Sequence, residues 1–483
     1  MKITFAIALI ISIIVAQGCD NATQMSGELK TSRIADIAKP ATIVIHTTHQ
    51  ASVTVPSVAL NEQTLGQLLY EADYAVRSGQ DPNTIYQAVI NEMLSNLEKY
   101  VIPSQPYNTL QCSIDGVGSG FFVTPNGYII TNAHVVTDAE ESLRYAIAEN
   151  ALQQLIEQDV KDFTSEMGGN VTQQQIELLK QSAVNFYVKY MQIGNVSTTV
   201  RAHLGAHVPG VATSTKPLEA EVIKSALGEP IPGKDVSILK IAGDNYPTLD
   251  LGDDKDLAVG DKIYPYGYPA DATFFAAFDP SSITEPSLTA GLVSSKKDMA
   301  GGWQVIQTDA AIRGGNSGGP VFDEKGRVIG LSTFGLIDQQ TGAAAQGANF
   351  VVPTTVVKEF LQRANVTPTE SKTTQLWKEA LALADRNAYK SAVEKLNMVN
   401  SLKPGLPVVQ QKLEEFNKAI LEGKDQSGPS IMTIALIVAG VLLLALVLFF
   451  VAKSKGGGKH APPPNINQPP SMPSGTDNPQ LPQ

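Results

Sequence analysis

The glycine-rich stretch at residues 313–320, Arg-Gly-Gly-Asn-Ser-Gly-Gly-Pro, constrains the fold of this chain more than any other feature. Glycine permits backbone turns that are closed to residues with side chains, so consecutive N–H groups can point into one hollow. Such a hollow can stabilise the oxyanion of a tetrahedral intermediate, and Ser317 at its centre is a candidate nucleophile. Taken alone, the string is equally consistent with a surface turn between two strands.

A serine nucleophile needs a general base, and the base needs a carboxylate that orients it. His134 follows a segment that we interpret as two short strands around a Pro-Asn-Gly turn. Asp235 stands at the start of the alternating segment 236–241, which predicts a strand. Each residue has a non-catalytic alternative: His134 as a hydrogen-bonded loop histidine, and Asp235 as a turn-forming residue. The order His, Asp, Ser is that of chymotrypsin-like proteases.

Four segments together carry a family resemblance. They read TNAHVV (131–136), DVSILKI (235–241), QTDAAIRGGNSGGPVFDEKGRVIGLSTF (307–334) and QGANFVVP (346–353). The chain resembles the trypsin-like serine proteases of the HtrA/Deg type from about residue 34 to about residue 361. The resemblance implies a mainly β fold, a chymotrypsin-like double six-stranded barrel with helical insertions, and we expect the protease domain to span residues 34–364.

The resemblance also implies roles for single residues. His134 would be the general base and acid, Asp235 would orient it, and Ser317 would attack the scissile carbonyl. The N–H groups of Gly315 and Ser317 would form the oxyanion hole. The substrates would be proteins or peptides, and no cofactor is implied.

The sequence departs from the family pattern in three places. Arg313 and Gly314 replace the usual Asn-Pro, helical material is inserted on both sides of His134, and we expect no PDZ domain after the protease.

The predicted substrate pocket carries no carboxylate. Ala311 lies six residues before Ser317, and the strand residues Ser332, Thr333 and Phe334 are expected to line the opposite wall. Phe334 would narrow the pocket, which predicts cleavage after small or medium apolar residues. Arg313 is the alternative determinant if its charge turns towards the pocket.

Charge and cysteine content exclude several other classes. The formal net charge of −11 argues against nucleic acid as a partner. Two cysteines, Cys19 and Cys112, provide no disulfide framework.

His203 and His207 lie close in sequence, but no carboxylate or thiolate accompanies them, so we predict no metal site.

The first 18 residues predict a secretory signal peptide, because one lysine precedes an apolar run too short to span a membrane. Residues 16–19 resemble a bacterial lipoprotein cleavage box, which predicts lipidation of Cys19. The alternatives are a plain signal peptide cut nearby and an uncleaved anchor.

Two insertions with helical periodicity interrupt the protease domain, at about residues 61–102 and 138–195. In the second, Asn170 followed by Gln173 matches the spacing of a capping box at a helix start. This second insertion leaves the barrel beside His134. It is therefore a candidate for covering the cleft, for positioning substrate or for a homo-oligomer contact. The alternative is a passive decoration of the barrel.

The C-terminal part predicts three further segments. Residues 371–422 fit one tetratricopeptide-like hairpin with an extra helix, which would pack on the protease, on a neighbour, or serve as a spacer. Residues 431–452 predict a transmembrane helix. Lysines at 453, 455 and 459 place the Pro-rich tail, residues 453–483, in the cytoplasm as a disordered segment.

These observations predict a single-pass cell-membrane protein with an extracytoplasmic serine endopeptidase domain. It would cut unfolded or exposed peptide segments in protein quality control or regulated proteolysis. A pseudoprotease and a peptide-binding sensor or scaffold that uses the tetratricopeptide-like region are the alternatives.

Overall fold

The structure is a computed structural model that describes residues 28–168, 171–204, 216–270, 285–337, 344–428 and 431–455. It divides into two compact units, residues 1–426 and 427–483. The predicted signal peptide, Cys19, His207 and the tail beyond Lys455 lie outside the described residues.

The first sheet contains eight strands among the described residues, in the order β6-β5-β1-β2-β3-β8-β7, with β4 added beside β1. The strands are β1 (Thr42–Leu60), β2 (Val101–Phe122), β3 (Tyr128–Thr131), β4 (Gln192–Ile193), β5 (Ser197–Leu204), β6 (Leu218–Glu219), β7 (Glu221–Leu227) and β8 (Ser237–Lys240). β1 and β2 pair in antiparallel register from Thr42↔Phe121 to Leu60↔Val101. They form a ribbon far longer than the other strands of this sheet.

The second sheet contains seven strands among the described residues, in the order β10-β9-β11-β12-β15-β14-β13, and an additional β9–β13 pairing closes it. The strands are β9 (Lys262–Gly267), β10 (Ser287–Leu288), β11 (Gly291–Asp298), β12 (Gln304–Thr308), β13 (Pro320–Phe322), β14 (Val328–Ile337) and β15 (Ala344–Pro353). Without the two-residue strands β4, β6 and β10, six strands remain in each sheet. The two barrel-like sheets fit the predicted chymotrypsin-like fold with helices.

One hydrophobic cluster joins the two sheets. It contains Phe121 and Ile238 from the first sheet, Tyr264 and Val305 from the second, and Val357. Burial of this apolar surface from both sides holds the two sheets against each other. Residues at the facing ends of the sheets can therefore form one site.

The insertions and the chain ends supply the helices. Those in and around the protease are α1 (Thr31–Ala38), α2 (Glu62–Arg77), α3 (Pro82–Ser95), α4 (Leu97–Tyr100), α5 (Ala133–Val136), α6 (Glu140–Glu166), α7 (Gln173–Tyr190) and α8 (Thr354–Arg363). α6 and α7 cover the β1–β2 ribbon, where Ile147, Ala151 and Phe186 pack with Val53 and Cys112.

The second insertion differs from the sequence-based expectation at one helix start. The N-cap of α7 is Thr172, whose side chain accepts from the backbone N–H of Gln175 while the Gln175 side chain accepts from the N–H of Thr172. The predicted capping box began two residues earlier, at Asn170, which lies outside the described residues. The predicted pair and the observed pair are each separated by three residues, so this spacing alone did not distinguish them.

Three helices follow the protease, α9 (Lys372–Asp385), α10 (Tyr389–Leu402) and α11 (Pro407–Leu421). They pack around a buried cluster that includes Trp377, Leu396 and Phe416, and Ile37 of α1 belongs to the same cluster. The hydroxyl of Thr374 accepts from the N–H of Thr248 at 2.7 Å. The three helices are therefore packed on the protease, which was one of the three arrangements predicted from the sequence.

In the second unit, residues 431–455 form α12 (Ile431–Lys455). Over the residues that the structure describes, no helix reaches the length and apolar character needed to cross a membrane. The transmembrane helix expected at residues 431–452 therefore stays a prediction.

Candidate active site

The pairing of β3 with β8 determines where His134 and Asp235 lie. Thr131, the last residue of β3, pairs with Ser237, the first residue of β8, in antiparallel register. His134 comes three residues after Thr131 and Asp235 two residues before Ser237. Because the strands run in opposite directions, both residues emerge at the same end of the sheet.

His134 and Asp235 are joined by two hydrogen bonds. Nδ1 of His134 lies 2.7 Å from Oδ2 of Asp235, and the backbone N–H of His134 donates to Oδ1 at 2.9 Å. Asp235 is fully buried, whereas the His134 side chain is 36% exposed. A carboxylate oxygen accepts, so Nδ1 is the donor, and in the neutral imidazole the lone pair then lies on Nε2.

Thr333 links Asp235 to Ser317. Its hydroxyl donates to Oδ2 of Asp235 at 2.6 Å, and its carbonyl oxygen accepts from Oγ of Ser317 at 2.9 Å. Within the described part of the chain, no hydrogen bond joins Ser317 directly to His134. The structure thus brings the three predicted residues into one hydrogen-bonded region, with the serine hydroxyl directed at a backbone acceptor.

The loop around Ser317 consists of two successive tight turns. The N–H of Asn316 donates to the carbonyl of Arg313 at 3.0 Å, and the N–H of Gly319 donates to the carbonyl of Asn316 at 2.9 Å. The third position of each turn has positive φ, +92° at Gly315 and +83° at Gly318, as in type II turns.

The glycines of this loop also permit close backbone approach. A Cβ at Gly315 would lie 2.3 Å from the carbonyl oxygen of Tyr268, and one at Gly318 would lie 2.3 Å from that of Ser119. The turn conformation and the close contacts both require glycine, which explains the sequence of residues 313–320.

Neighbouring carbonyls fix the direction of two N–H groups. The carbonyl of Gly314 accepts from the N–H of Ala270 at 2.6 Å, and that of Asn316 accepts from Gly319. In a trans peptide the C=O and N–H point in opposite directions, so the N–H groups of Gly315 and Ser317 point away from these partners. Neither N–H has an acceptor among the described residues. Two unused donors therefore lie beside the serine.

The predicted pocket residues have different environments. Ala311 and Arg313 are exposed, and Ser332 is fully buried with a hydroxyl that has no partner among the described residues. The ring of Phe334 stacks on Phe350 with centroids 4.6 Å apart. The hydroxyl of Thr333 donates to Oδ2 of Asp235.

Sequence reasoning missed two polar residues near the site. The Nδ2 of Asn349 donates to the carbonyl of Ala310 at 2.9 Å, and Asn349 pairs with Gly335 across β14 and β15. Ser119 is fully buried, and its hydroxyl donates to the carbonyl of Gly315 at 2.8 Å. The only local signal for Asn349 is a polar side chain directly before the apolar run Phe350, Val351 and Val352.

A metal site has no basis in the described ranges, where no group of three or more His, Cys, Asp or Glu residues could hold an ion. The rings of His46 and His203 lie 6.1 Å apart. Burial lowers the pKa of His203, and the charges of His46 and Arg201 lower it further.

Comparison with known proteins agrees with this geometry. The family described as trypsin-like peptidase domain matches residues 118–331. A probable periplasmic serine endoprotease DegP-like of Pseudomonas putida (strain F1) is 26% identical over 334 residues, covering 68% of this chain and 50% of that protein. The serine protease Do-like HtrA of Lactobacillus helveticus is 31% identical over 124 residues, 25% of this chain and 29% of that protein.

Among solved structures, the HtrA-type protease AlgW with decapeptide aligns over 70% of this chain and 68% of its own, with 18% identity and a TM-score of 0.35. That superposition is too loose to add to the sheet topology described above. The chain spans about half the length of the curated DegP-like relatives it matches. The resemblance predicted from the sequence is confirmed: residues 118–331 match the trypsin-like peptidase domain family, and the chain is similar to DegP-like serine endoproteases.

Proposed function

We propose that the protein is a serine endopeptidase in which Ser317 is the nucleophile, His134 the general base and acid, and Asp235 the orienting carboxylate. The observation that carries the proposal is the 2.7 Å contact between Nδ1 of His134 and the buried Oδ2 of Asp235. It holds the imidazole in the tautomer whose Nε2 can accept the serine proton.

In the proposed acylation step, Oγ of Ser317 bonds to the scissile carbonyl carbon and its proton passes to Nε2 of His134. The carbonyl oxygen becomes an oxyanion, which the free N–H groups of Gly315 and Ser317 stabilise. Collapse of the intermediate breaks the C–N bond, and the imidazolium returns the proton to the leaving amine.

Deacylation repeats the sequence with water. His134 takes a proton from a water molecule as that water attacks the acyl carbon. Ser317 leaves with the proton that His134 returns, so the enzyme is regenerated and a carboxylic acid is released.

The hydrogen bond from Ser317 to Thr333 supports a resting arrangement that differs from the reactive one. Rotation about the Cα–Cβ bond of Ser317 must exchange this bond for one to Nε2 before attack. The same bond is the observation that favours the second candidate, a pseudoprotease in which the exchange does not occur. Hydrogen bonds in unliganded active sites often tighten only when substrate binds.

Labelling with a fluorophosphonate, together with cleavage of denatured casein, tests the proposal on the full chain. We expect the wild type to be labelled and active, and Ser317→Ala to be neither. Ser237→Ala is a matched control, because it removes a fully buried hydroxyl that has no partner among the described residues. A wild-type protein that is folded but neither labelled nor active would favour the pseudoprotease.

A scaffold that recruits peptides through residues 371–422 has less support. Trp377 of α9 and Lys412 of α11 both bond to Asp36 of α1, at 2.9 and 3.3 Å. This face of the helices is thus already covered by a segment of the same chain.

We also propose that the protease is extracytoplasmic and is anchored by residues 431–452. The DegP-like relatives are described as periplasmic, and residues 431–451 carry no charge and precede three lysines. Protease treatment of spheroplasts should remove the body and leave the helix with its tail. Digestion of a tag at Gln483 in sealed cells would contradict this orientation.

Lipid on Cys19 is a separate proposal, tested by mass spectrometry of the mature N-terminus with Cys19→Ser as its control.

A further inference from the structure

The hydroxyl of Ser119 is shared by two backbone segments of the second barrel. Oγ donates to the carbonyl of Gly315 at 2.8 Å and accepts from the N–H of Tyr268 at 2.9 Å. The backbone N–H of Ser119 donates to the carbonyl of Ser317 at 2.8 Å. One fully buried residue of β2 therefore bonds to both the serine loop and the segment that follows β9.

The serine loop and the segment after β9 meet at the peptide bond between Gly314 and Gly315, and the N–H of Gly315 is one of the two free donors. Ala270, two residues after Tyr268, donates to the carbonyl of Gly314. This bond turns the N–H of Gly315 in the opposite direction, beside Ser317. Ser119 bonds to both of the segments that the hydrogen bond between Ala270 and Gly314 joins. It holds Tyr268, in the segment that contains the donor, and Gly315, in the turn that contains the acceptor.

The packing leaves little room for another arrangement. A Cβ at Gly267 would lie 2.7 Å from Oγ of Ser119, and one at Gly315 would lie 2.5 Å from the N of Ala270. The three segments therefore approach one another closely at these glycines. Removal of the hydroxyl would leave the N–H of Tyr268 and the carbonyl of Gly315 without this buried partner, at a free-energy cost.

We propose that Ser119 is a positioning residue of the oxyanion hole: through its hydroxyl it holds the Gly315 turn and the Tyr268–Ala270 segment in the register that aims the Gly315 N–H at the reacting carbonyl. This inference rests on the proposed peptidase function. It predicts an effect on transition-state stabilisation with little effect on substrate binding, because Ser119 is buried behind the loop and does not face substrate.

The test compares full-length Ser119→Ala with Ser237→Ala, a matched loss of a buried serine hydroxyl. We expect kcat on a peptide amide to fall by about tenfold to a hundredfold for Ser119→Ala, somewhat less than the loss of an oxyanion donor itself. KM should stay within about twofold, the expectation when only transition-state interactions are lost. The affinity for a peptide boronic acid, which forms a tetrahedral adduct, should fall in proportion to kcat/KM. Ser237→Ala should keep wild-type values for all three quantities.

Two results would overturn the inference: wild-type kcat in Ser119→Ala, or a fall in kcat without a parallel loss of boronic acid affinity. The latter would show that the Ser119 hydroxyl does not act on the groups that bind the tetrahedral adduct. If Ser119→Ala does not fold, Ser119→Cys supplies a weaker donor at the same site, and the same two readouts decide. An inactive, unlabelled wild type would instead refute the peptidase function itself, so the two failures are distinguishable.

Discussion

The indole N–H of Trp377 donates a 2.9 Å hydrogen bond to the backbone carbonyl of Asp36. Trp377 lies in the helices that follow the protease, and Asp36 lies in α1, just before the first barrel strand. Trp377 is only 1% exposed and packs in a cluster that also contains Ile37. The contact makes the C-terminal helices part of the same folded body as the protease.

Trp377→Ala should therefore destabilise the protein substantially. Loss of a buried tryptophan costs about 3–5 kcal/mol through lost apolar burial and the cavity left behind. We expect a lower thermal midpoint in calorimetry and earlier loss of peptidase activity on heating. Met398→Ala, at a half-exposed methionine of α10, is the control and should change the midpoint little. A drop confined to the C-terminal helices, with the protease transition unchanged, would contradict the coupling.

The proposed triad predicts a graded loss of turnover. Ser317→Ala and His134→Ala should each abolish measurable cleavage of a denatured substrate, because nucleophile and base act as one unit. Asp235→Asn should lose roughly four orders of magnitude in kcat, since the amide favours the wrong imidazole tautomer. Steady-state kinetics with active-site titration would measure this. Full activity in Ser317→Ala would refute the assignment.

The site could be predicted from the sequence only where the signal is local. His134 and Asp235 each stand at the end of a recognisable strand, and Ser317 stands in a loop whose glycines are visible in the sequence. The contacts of Thr333 with Asp235 and of Ser119 with Gly315 span 98 and 196 residues. A serine or threonine in a strand gives no sign of which distant group it will bond.

The same limit applies to the fold. Helical periodicity predicted the two insertions, because it reports which face of a helix is buried, whereas the barrels were predicted from the family resemblance. They did not predict that α1 would contact Trp377 and Lys412. That contact depends on how whole elements pack, and no periodicity in either segment encodes its partner.

Cleavage specificity is expected to favour small or medium apolar residues. Ala311 provides no carboxylate for lysine or arginine, and the polar Asn349 is engaged by the carbonyl of Ala310. Phe334 is stacked on Phe350, which limits how far it can move to admit a large side chain. Mass spectrometry of fragments from an unfolded protein should show cleavage after Val, Ala or Ile. A preference for Lys, Arg or Asp would point to Arg313 or to a different pocket.

An ion pair next to the site predicts a pH-dependent contribution to stability. Oε2 of Glu359 lies 2.5 Å from Nζ of Lys234, and this bond lowers the pKa of Glu359 below its usual 4.5. Because the folded-state pKa is depressed, the contribution is present above pH 4.5 and is lost as the pH falls through the folded-state pKa.

Glu359→Gln should therefore lower the thermal midpoint more at pH 7 than near pH 3. The expected loss is small, about 0.2–1 kcal/mol, because the pair is partly exposed to solvent. Differential scanning fluorimetry across this pH range would measure it. Glu394→Gln is the control, since Glu394 is exposed and has no ion pair among the described residues. An equal midpoint loss at both pH values would contradict the linkage.

The helices of the insertion after His134 bury apolar side chains against the β1–β2 ribbon. Phe186 of α7 is 2% exposed, its ring centroid lies 4.9 Å from that of Tyr190, and it shares a cluster with Val53 of the ribbon. Replacing residues 139–194 with a Gly/Ser linker would also uncover that apolar ribbon surface, so a point substitution is the sharper test.

Phe186→Ala should destabilise the insertion by about 3–5 kcal/mol, the usual cost of removing a buried aromatic ring. Because α6 begins four residues after α5, which carries His134, loosening the insertion should alter the peptidase rate or the mass in solution severalfold. Hydrogen exchange would locate the loosened helices, and kinetics on a short peptide and on casein, with light scattering, would report the consequences. Val188→Ala, two residues further along α7 and 61% exposed, is the control and should match the wild type. Increased exchange in α6 and α7 with unchanged kinetics and mass would show that the insertion is passive, since it would then be mobile without any effect on the site.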